Sequence, residues 1–465
     1  MESFRIKDII EATNGKLIKG EPEASVSGIS TDSRTLKYGD FFVALIGDRF
    51  DGHNFIPQSI SHGAAGIIVS RTQIQDEYYE LSSRIKNVIM VQDTTIALGD
   101  IASYYRRKFE IPVIGVTGSN GKTTTKDMAA LVLSKKYTVL RNEGNLNNTI
   151  GLPLTLFNLS SCHKAAILEM GISLPGEMSR LVEIAQPDVA IVTNISSTHL
   201  EFLGSVKGVA EEKGILVKSS KAAVLNFDDP LVAGMVSDYS GRIISYGIDS
   251  RADVTASDIA IGSDGKPEFT LMAKEMVVRV KLPSLGRHNI YNALAAASAG
   301  VLFCVDIKDI KEAFESHQHT YMRMQRIDAN GITIVDDTYN SNPTSLKAAV
   351  DFLSNAGSDG RKILVAGDML ELGDKSNELH ISTGRYIARL RGSEKGFLLI
   401  TVGERSRWLA EGAIEAGIEK SHVIIFRTNM EAANHLRSII VKGDFILVKG
   451  SRGMKMEEIV KEIQK

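Results

Sequence analysis

The sequence predicts an α/β protein of three domains: a small α/β domain, a central parallel-sheet domain built around a phosphate-binding P-loop, and a Rossmann-like C-terminal domain. Three observations predict it. A chain of 465 residues exceeds what one hydrophobic core usually supports, so two or three units of roughly 100–200 residues are expected. From Pro112 onward short β-branched runs alternate with helix-length segments, the pattern of a parallel sheet with helices on both faces. A second series of the same kind begins near Gly331.

Each element has a local cause. To about residue 95 the chain mixes strand-like pieces, Phe41 to Ile46 and Gly66 to Ser70, with glycine-rich turns, as a small α/β unit does. A helical stretch, Thr94 to Phe109, leads into Pro112-Val-Ile-Gly-Val-Thr117, a strand ending at glycines. Tyr137 to Leu140, Ala165 to Glu169, Val189 to Asn194 and Ala222 to Asn226 read as further strands between helices. Residues 243–283 alternate instead, as in Val278-Arg-Val-Lys281, and predict antiparallel strands appended to that sheet. The helix after Leu285 is expected to close the domain. In the third unit the strand candidates are Ile332 to Val335, Lys362 to Ala366, Phe397 to Val402, Val423 to Phe426 and Phe445 to Val448. No G-x-G-x-x-G follows the first of them, which weighs against a dinucleotide. The expected domains are 1–95, 96–317 and 318–465.

Composition excludes several functions. With 54 basic and 56 acidic residues the formal net charge is −2, and the densest basic cluster is only Arg106, Arg107 and Lys108, so no nucleic-acid footprint is expected. The longest weakly polar run, Ala293 to Val305, is too short for a bilayer, and the first residues are charged rather than signal-like. A cytoplasmic protein is expected. Cys162 and Cys304 lie far apart without metal-type spacing and are expected to be reduced, buried small hydrophobes. No heptad seam is evident, so a monomer is expected.

The strongest chemical signal is Gly115-Val-Thr-Gly-Ser-Asn-Gly-Lys-Thr-Thr-Thr125, which follows a strand and precedes a helix. Glycines let backbone N–H groups turn inward, and the helix N-terminus adds positive potential for phosphate. Lys122 would reach the β and γ phosphates, and the Thr123 hydroxyl would ligate Mg²⁺. The spacing departs from the standard Walker pattern, since Gly121 stands six positions after Gly115 and Gly118 supplies the flexibility. ATP or GTP binding is expected.

Downstream, Glu169 ends a strand and would point into the crevice beyond the sheet, where it could hold Mg²⁺; a solvent-facing strand end is the alternative. His199 likewise follows a strand, as a ligand or as a structural hydrogen-bonding group. Lys213, in Glu211-Glu-Lys-Gly-Ile215, reads by itself as part of a solvated charged helix face.

Taken together, Thr117-Gly-Ser-Asn-Gly-Lys-Thr-Thr124, Glu169-Met-Gly171, Asn194 with His199, and Gly286-Arg-His-Asn-Ile-Tyr-Asn292 followed by alanines make the chain resemble the Mur ligases over nearly its whole length. These are the ATP-dependent amide ligases of peptidoglycan synthesis, related to folylpolyglutamate synthetase. Three features are most similar to members that add D-alanyl-D-alanine to UDP-N-acetylmuramoyl-tripeptide. Asp336-Asp-Thr-Tyr-Asn-Ser-Asn-Pro343 stands where sister ligases carry a D-Y-A-H-T-P type sequence, and Gly367-Asp-Met-Leu-Glu-Leu-Gly373 follows it. Ile29-Ser-Thr-Asp-Ser-Arg34, Gly39-Asp-Phe-Phe-Val-Ala-Leu45 and Gly47 to His53 resemble a UDP-sugar-binding domain. No D-N-P-R sequence, used by some sister ligases for diaminopimelate, is present.

The resemblance implies roles by position. Gly118, Ser119, Asn120, Gly121, Lys122, Thr123 and Thr124 would hold ATP phosphates, and Asn289 and Asn292 the adenine, with helix capping or a buried polar contact as their alternative. Arg323 falls at the family's Gly-Arg hinge, although Met322 replaces the glycine, and Asp337 is the candidate for the ribose. Ser30, Thr31, Asp32, Ser33 and Arg34 would bind the UDP-sugar, and Tyr339, Asn340 and Asn342 would face the incoming amine with the loop after Ala366. Without the family, Asp336 to Pro343 reads as an Asn-rich turn. Two Mg²⁺ sites are implied, with Thr123, Glu169, His199 and a carbamylated Lys213 as ligands; the catalytic set would be Lys122, His199 and Lys213. The implied reaction forms an acyl phosphate that the dipeptide amine attacks. The competing readings are a P-loop NTPase switch, which leaves the first domain unexplained, and a folylpolyglutamate-type ligase, which has no use for a UDP-sugar domain.

Overall fold

Apolar runs bounded by turns become three sheets in the computed structural model, which describes the chain except Ser3, Asp48, Arg49, 71–83, 319–320, 358–359 and 392–395. Within Gly47 to His53, Asp48 and Arg49 therefore lie outside the described residues. The N-terminal sheet contains β1 (Lys16–Lys19), β2 (Ile29–Ser30), β3 (Phe41–Val43), β4 (Gly66–Ser70) and β5 (Asn87–Val91), in the order β1-β5-β4-β3-β2. Only β1 runs antiparallel, against β5, among the described pairings. The helix Thr94–Arg106, capped by the Asp93 carboxylate, buries Leu98, Ile101 and Tyr105 in a core that also holds Phe4, Ile6, Phe41 and Ile68. One apolar layer thus continues from the first sheet to the second.

The central sheet contains β6 (Val113–Thr117), β7 (Val139–Arg141), β8 (Ala165–Glu169), β9 (Val189–Val192), β10 (Ala222–Asn226), β11 (Arg242–Gly247), β12 (Val254–Ile261), β13 (Pro267–Ala273) and β14 (Met276–Lys281). Its order is β14-β13-β12-β11-β10-β9-β6-β8-β7. The chain leaves β6 toward β7 and β8 on one side and later returns to β9 on the other, so a topological switch point opens beside β6, where α/β sheets bind ligands. The stretch 243–283 differs from expectation. Its β11 and β12 extend the parallel sheet, and only β13 and β14 run antiparallel. Nor does the helix His288–Leu302 end the domain: Asp306 caps a further helix, Ile307–Glu315, whose Ile310 and Phe314 are buried.

The C-terminal sheet contains β15 (Gln325–Ala329), β16 (Ile332–Asp337), β17 (Lys362–Gly367), β18 (Phe397–Val402), β19 (Val423–Phe426) and β20 (Phe445–Lys449), in the order β15-β16-β20-β17-β18-β19. The half-exposed edge strand β15, antiparallel to β16, precedes the expected start near Gly331, and its polar alternation hid it from an apolar-run reading. Both cysteines are exposed, contrary to expectation. Cys162 sits in a surface turn before β8, and Cys304 takes a left-handed backbone (φ +55°) where the helix His288–Leu302 runs out. Among the described residues no helix is long and apolar enough to cross a membrane.

One buried histidine gives this domain a pH-dependent stability. His380 is fully buried; its Nε2 accepts from the Met369 N–H at 3.1 Å, and Nδ1 lies 2.7 Å from the Ser376 carbonyl. Burial pulls its pKa below the usual histidine value. The unfolded chain therefore takes up a proton that the folded one resists. His380's contribution is complete above the unfolded pKa of about 6.5 and is lost as the pH falls through the depressed folded value. The thermal midpoint should drop between pH 7.5 and 5.5, and His380→Gln should flatten that drop. An unchanged slope in the variant would refute the assignment.

Candidate active site

The residues after β6 form a loop that only this sequence of small residues allows. Gly118 (φ +145°) and Gly121 (φ +81°) take left-handed conformations, and a Cβ on either would collide, with the Thr193 hydroxyl and the Asn292 side chain respectively. The Ser119 N–H donates to the Asn194 carbonyl (2.8 Å) and the Asn120 N–H to Asn194 Oδ1 (3.0 Å). Thr193 Oγ1 and Asn194 Nδ2 donate back to the Asn120 carbonyl at 2.6 and 3.0 Å. The helix Lys122–Ser134 starts directly from this clamp. Lys122 Nζ donates to the Gly118 and Ser119 carbonyls (2.9 and 3.4 Å). Desolvation lowers its pKa, Glu169 opposes that shift and Arg323 adds to it.

Glu169, at the end of β8, is buried rather than solvent-facing. Its Oε1 accepts from Asn147 Nδ2 at 2.8 Å, while Oε2 is buried with no hydrogen-bond partner. A carboxylate oxygen held dry and unsatisfied has the chemistry of a cation ligand. Lys213 is 1% exposed on the helix Val206–Lys218, so the solvated-face reading fails: that helix turns Lys213 into the protein. Its amine has no hydrogen-bond or ion-pair partner among the described residues. Desolvation and the nearby Lys122 charge push its pKa well below the ordinary lysine value. His199 Nδ1 lies 2.6 Å from Glu371 Oε2, in the loop after β17, and the imidazole holds the Glu371 carboxyl below the usual range.

Asn289 and Asn292 share one helix face and are buried. Asn289 Nδ2 donates to the Leu285 carbonyl (2.7 Å), Asn292 Nδ2 to Asn289 Oδ1 (2.8 Å), and the Thr125 hydroxyl to Asn292 Oδ1 (3.2 Å). Part of their capacity thus serves the buried polar contact that the sequence left open. Arg323 stacks on Tyr339, 4.1 Å from the ring centroid, and its Nη2 donates to Thr123 Oγ1 at 3.0 Å. Met322 and Met324 flank it with φ of +58° and +49°, so the position where the family carries glycine does need a left-handed backbone here, adopted at a strain cost. Asp337 Oδ2 accepts from Lys449 Nζ at 2.6 Å and Oδ1 from the Met324 N–H at 3.2 Å. The same lysine donates to the Asn340 carbonyl (2.9 Å). Asn342 is the N-cap of the helix Pro343–Asn355, accepting from the Ser345 N–H at 2.9 Å.

These elements enclose a cavity of about 910 Å³ at the C-terminal ends of β6, β8, β9, β16 and β20. Its wall includes Ser119, Asn120, Gly121, Lys122, Thr124, Glu169, His199, Asn289, Asn292, Arg323, Asp337, Tyr339, Asn340 and Asn342. Gly118, Thr123 and Lys213 are not part of its lining. Ser30 to Arg34 are elsewhere, at the end of β2 and in the turn that follows it. There Arg34 makes a two-pronged bond to Asp32 (2.9 and 2.7 Å) that draws the carboxyl down to about 2. Ser30 Oγ donates to the Asp32 carbonyl (3.1 Å) and Ser33 Oγ to Gln58 (2.8 Å). Sequence reasoning missed Asn147, Asp228, His288 and Lys449 on the cavity wall. Lys449 carried the signal that found Glu169, a charged residue at the end of a buried parallel strand.

The whole chain has known counterparts. Residues 25–106 match the Mur ligase family catalytic domain, 116–300 the Mur ligase middle domain, and 322–452 the Mur ligase glutamate ligase domain. It is 37% identical to a UDP-N-acetylmuramoyl-tripeptide–D-alanyl-D-alanine ligase of Bacillus subtilis (strain 168), covering 98% of each chain. It is 34% identical to the Escherichia coli (strain K12) protein of the same description, over 100% of this chain and 99% of that one. A crystal structure of MurF from Acinetobacter baumannii superposes with a TM-score of 0.88 at 32% identity, covering 99% of this chain and 98% of the other. The MurF ligase of Thermotoga maritima in complex with ADP superposes with a TM-score of 0.80 at 29% identity, over 94% and 96%.

Proposed function

The chain belongs to the Mur ligase family, and from that premise we propose that it adds D-alanyl-D-alanine to UDP-N-acetylmuramoyl-tripeptide with ATP, yielding the pentapeptide precursor of peptidoglycan, ADP and phosphate. The observation that carries the reading is the cavity itself: a phosphate loop and a dry glutamate on one wall, and the Asp337–Lys449 pair of the C-terminal domain on the other. Domains 1–95, 96–317 and 318–465 take the UDP-sugar, the ATP and the amine in turn, with Ser30 to Arg34 at the UDP end. ATP and a UDP-linked peptide as substrates support a cytoplasmic reaction.

The tripeptide carboxylate attacks the γ-phosphorus, the bond to the bridging oxygen of ADP breaks, and Lys122 neutralises charge spread over the transferring group. The neutral amine of the dipeptide then attacks the acyl carbon, phosphate leaves, and the amide forms with loss of a proton. The cleft walls exclude the water that would otherwise consume the acyl phosphate. Asn289 and Asn292 border the adenine end, Asp337 the ribose, and Tyr339 and Asn340 the amine side.

Among the described residues no three His, Cys, Asp or Glu side chains converge as a metal cluster. Lys213 would supply a further anion as a carbamate: its buried amine, with its pKa pushed well below the ordinary lysine value by desolvation, would take up CO₂ with release of a proton. Glu169 Oε2, His199 and a carbamylated Lys213 would hold one Mg²⁺ and Thr123 a second, and an ion held there would supply screening of the phosphate charge.

The test is ADP release by purified protein with Mg²⁺-ATP and UDP-muramoyl-tripeptide, with and without D-alanyl-D-alanine, together with the product mass. One ADP per added dipeptide is expected. Hydrolysis indifferent to both co-substrates would sink the ligase reading in favour of a nucleotide switch.

A further inference from the structure

Asn342 and Asn120 lie 222 residues apart and face each other across the cleft between the central and C-terminal domains. Asn342 Nδ2 donates to Asn120 Oδ1 at 2.7 Å, and Asn120 Nδ2 reaches back to Asn342 Oδ1 at 3.5 Å. We propose that this amide pair makes Asn342 a positioning residue, one that ties docking of the C-terminal domain to the conformation of the phosphate loop, rather than a residue that touches the incoming amine.

Four observations carry the assignment. Asn342 is 6% exposed, and its Oδ1 already serves the Ser345 N–H as helix N-cap, so the side chain is fixed in direction and its Nδ2 has one aim. Asn120 is fixed equally: its backbone is held by Thr193 and Asn194, and its Nδ2 lies 3.2 Å from Ser196 Oγ, which leaves Oδ1 turned toward the C-terminal domain. Asn120 sits between the two left-handed glycines, on the loop whose carbonyls at Gly118 and Ser119 hold the Lys122 ammonium. Phosphates that draw Lys122 off those carbonyls alter the loop carrying Asn120. Finally, two further contacts across the same cleft also fall on nucleotide-handling elements, Arg323 on Thr123 and Glu371 on His199. Docking is thus measured against the loop at several points, and the Asn120–Asn342 pair is the one made by neutral side chains with defined geometry.

A bond made only when the domains are docked and the loop is ordered must couple the two events reciprocally. For one amide pair the coupling is about two- to tenfold in either equilibrium. Nucleotide therefore favours docking, and docking holds nucleotide, before the amine arrives.

The inference rests on the ligase reading for its role in catalysis, while the coupling is measurable by nucleotide binding alone. Asn342→Ser keeps a hydroxyl to cap the helix but is too short to reach Asn120; Asn342→Ala loses cap and pair together. ADP dissociation constants and thermal midpoints would be compared for wild type, Asn342→Ser, Asn342→Ala, Asn120→Ser and the double serine variant. The expected result is an ADP affinity two- to tenfold weaker in each serine variant and no further loss in the double. Asn342→Ser should keep the wild-type midpoint, whereas Asn342→Ala lowers it. In turnover, kcat should fall by the same factor with the KM for D-alanyl-D-alanine unchanged. Additive losses in the double variant, or a raised dipeptide KM at constant kcat, overturns the proposal. A wild type that binds ADP with this coupling yet forms no amide would instead refute the ligase reading and leave the pair intact.

Discussion

Lys122→Met lowers ADP formation by about 10²–10³-fold, the loss found when one preorganised charge donor is removed from a developing anion, and leaves the fold in place. Among the described residues the hydrogen bonds of the ammonium go to the Gly118 and Ser119 carbonyls of its own loop, so the substitution breaks no bond to the hydrophobic core. Burial already lowers its pKa, so exchanging it for an apolar side chain of similar length relieves a desolvated charge while deleting the group that meets the phosphates. Single-turnover ADP release and the thermal midpoint check both halves. Turnover within threefold of wild type would remove Lys122 from the mechanism.

Lys213→Met separates stability from activity still more sharply. Turnover should fall by at least about 10²-fold if the side chain supplies an anionic ligand. The metal-free protein should nevertheless melt no lower than wild type. The reason is the sign of the linkage: with its pKa depressed in the folded state, Lys213 contributes fully only above the unfolded lysine value of about 10.4, and that contribution declines as the pH falls through the folded value. At neutral pH the unfolded chain gains a proton that the folded chain resists, and methionine abolishes that penalty. Uptake of ¹³C-labelled bicarbonate, read as a carbamate carbon resonance in wild type and its absence in the variant, tests the chemistry. A variant that melts several degrees lower, or retains full turnover, contradicts the assignment.

The two lysines show how unevenly the site was legible. Lys122 stood out because strand, glycine loop and helix are consecutive in sequence, and a phosphate loop is a local object. Lys213 carried no local sign: flanked by glutamates, it looked like part of a solvated helix face until the helix was packed with that face inward. Asn342 was singled out by resemblance as an amine contact, yet its geometry is that of a cap and an inter-domain hydrogen bond. The cysteines erred the other way, because a small sulfur side chain is apolar by type but is placed by its turn.

By itself the sequence determined the three α/β units, most of their buried strands, the phosphate loop and the strand-end position of Glu169. These follow from twofold and 3.6-fold periodicities and from glycines whose backbone angles no other residue adopts cheaply. Only the tertiary structure decided that Lys213 is buried, that Lys449 holds Asp337 across 112 residues of chain, and that Asn120 meets Asn342 across 222. The lysine-aspartate pair is set by which strands pair within one sheet, the burial of Lys213 by how its helix packs, and the amide pair by domain docking, all long-range events that no local pattern encodes.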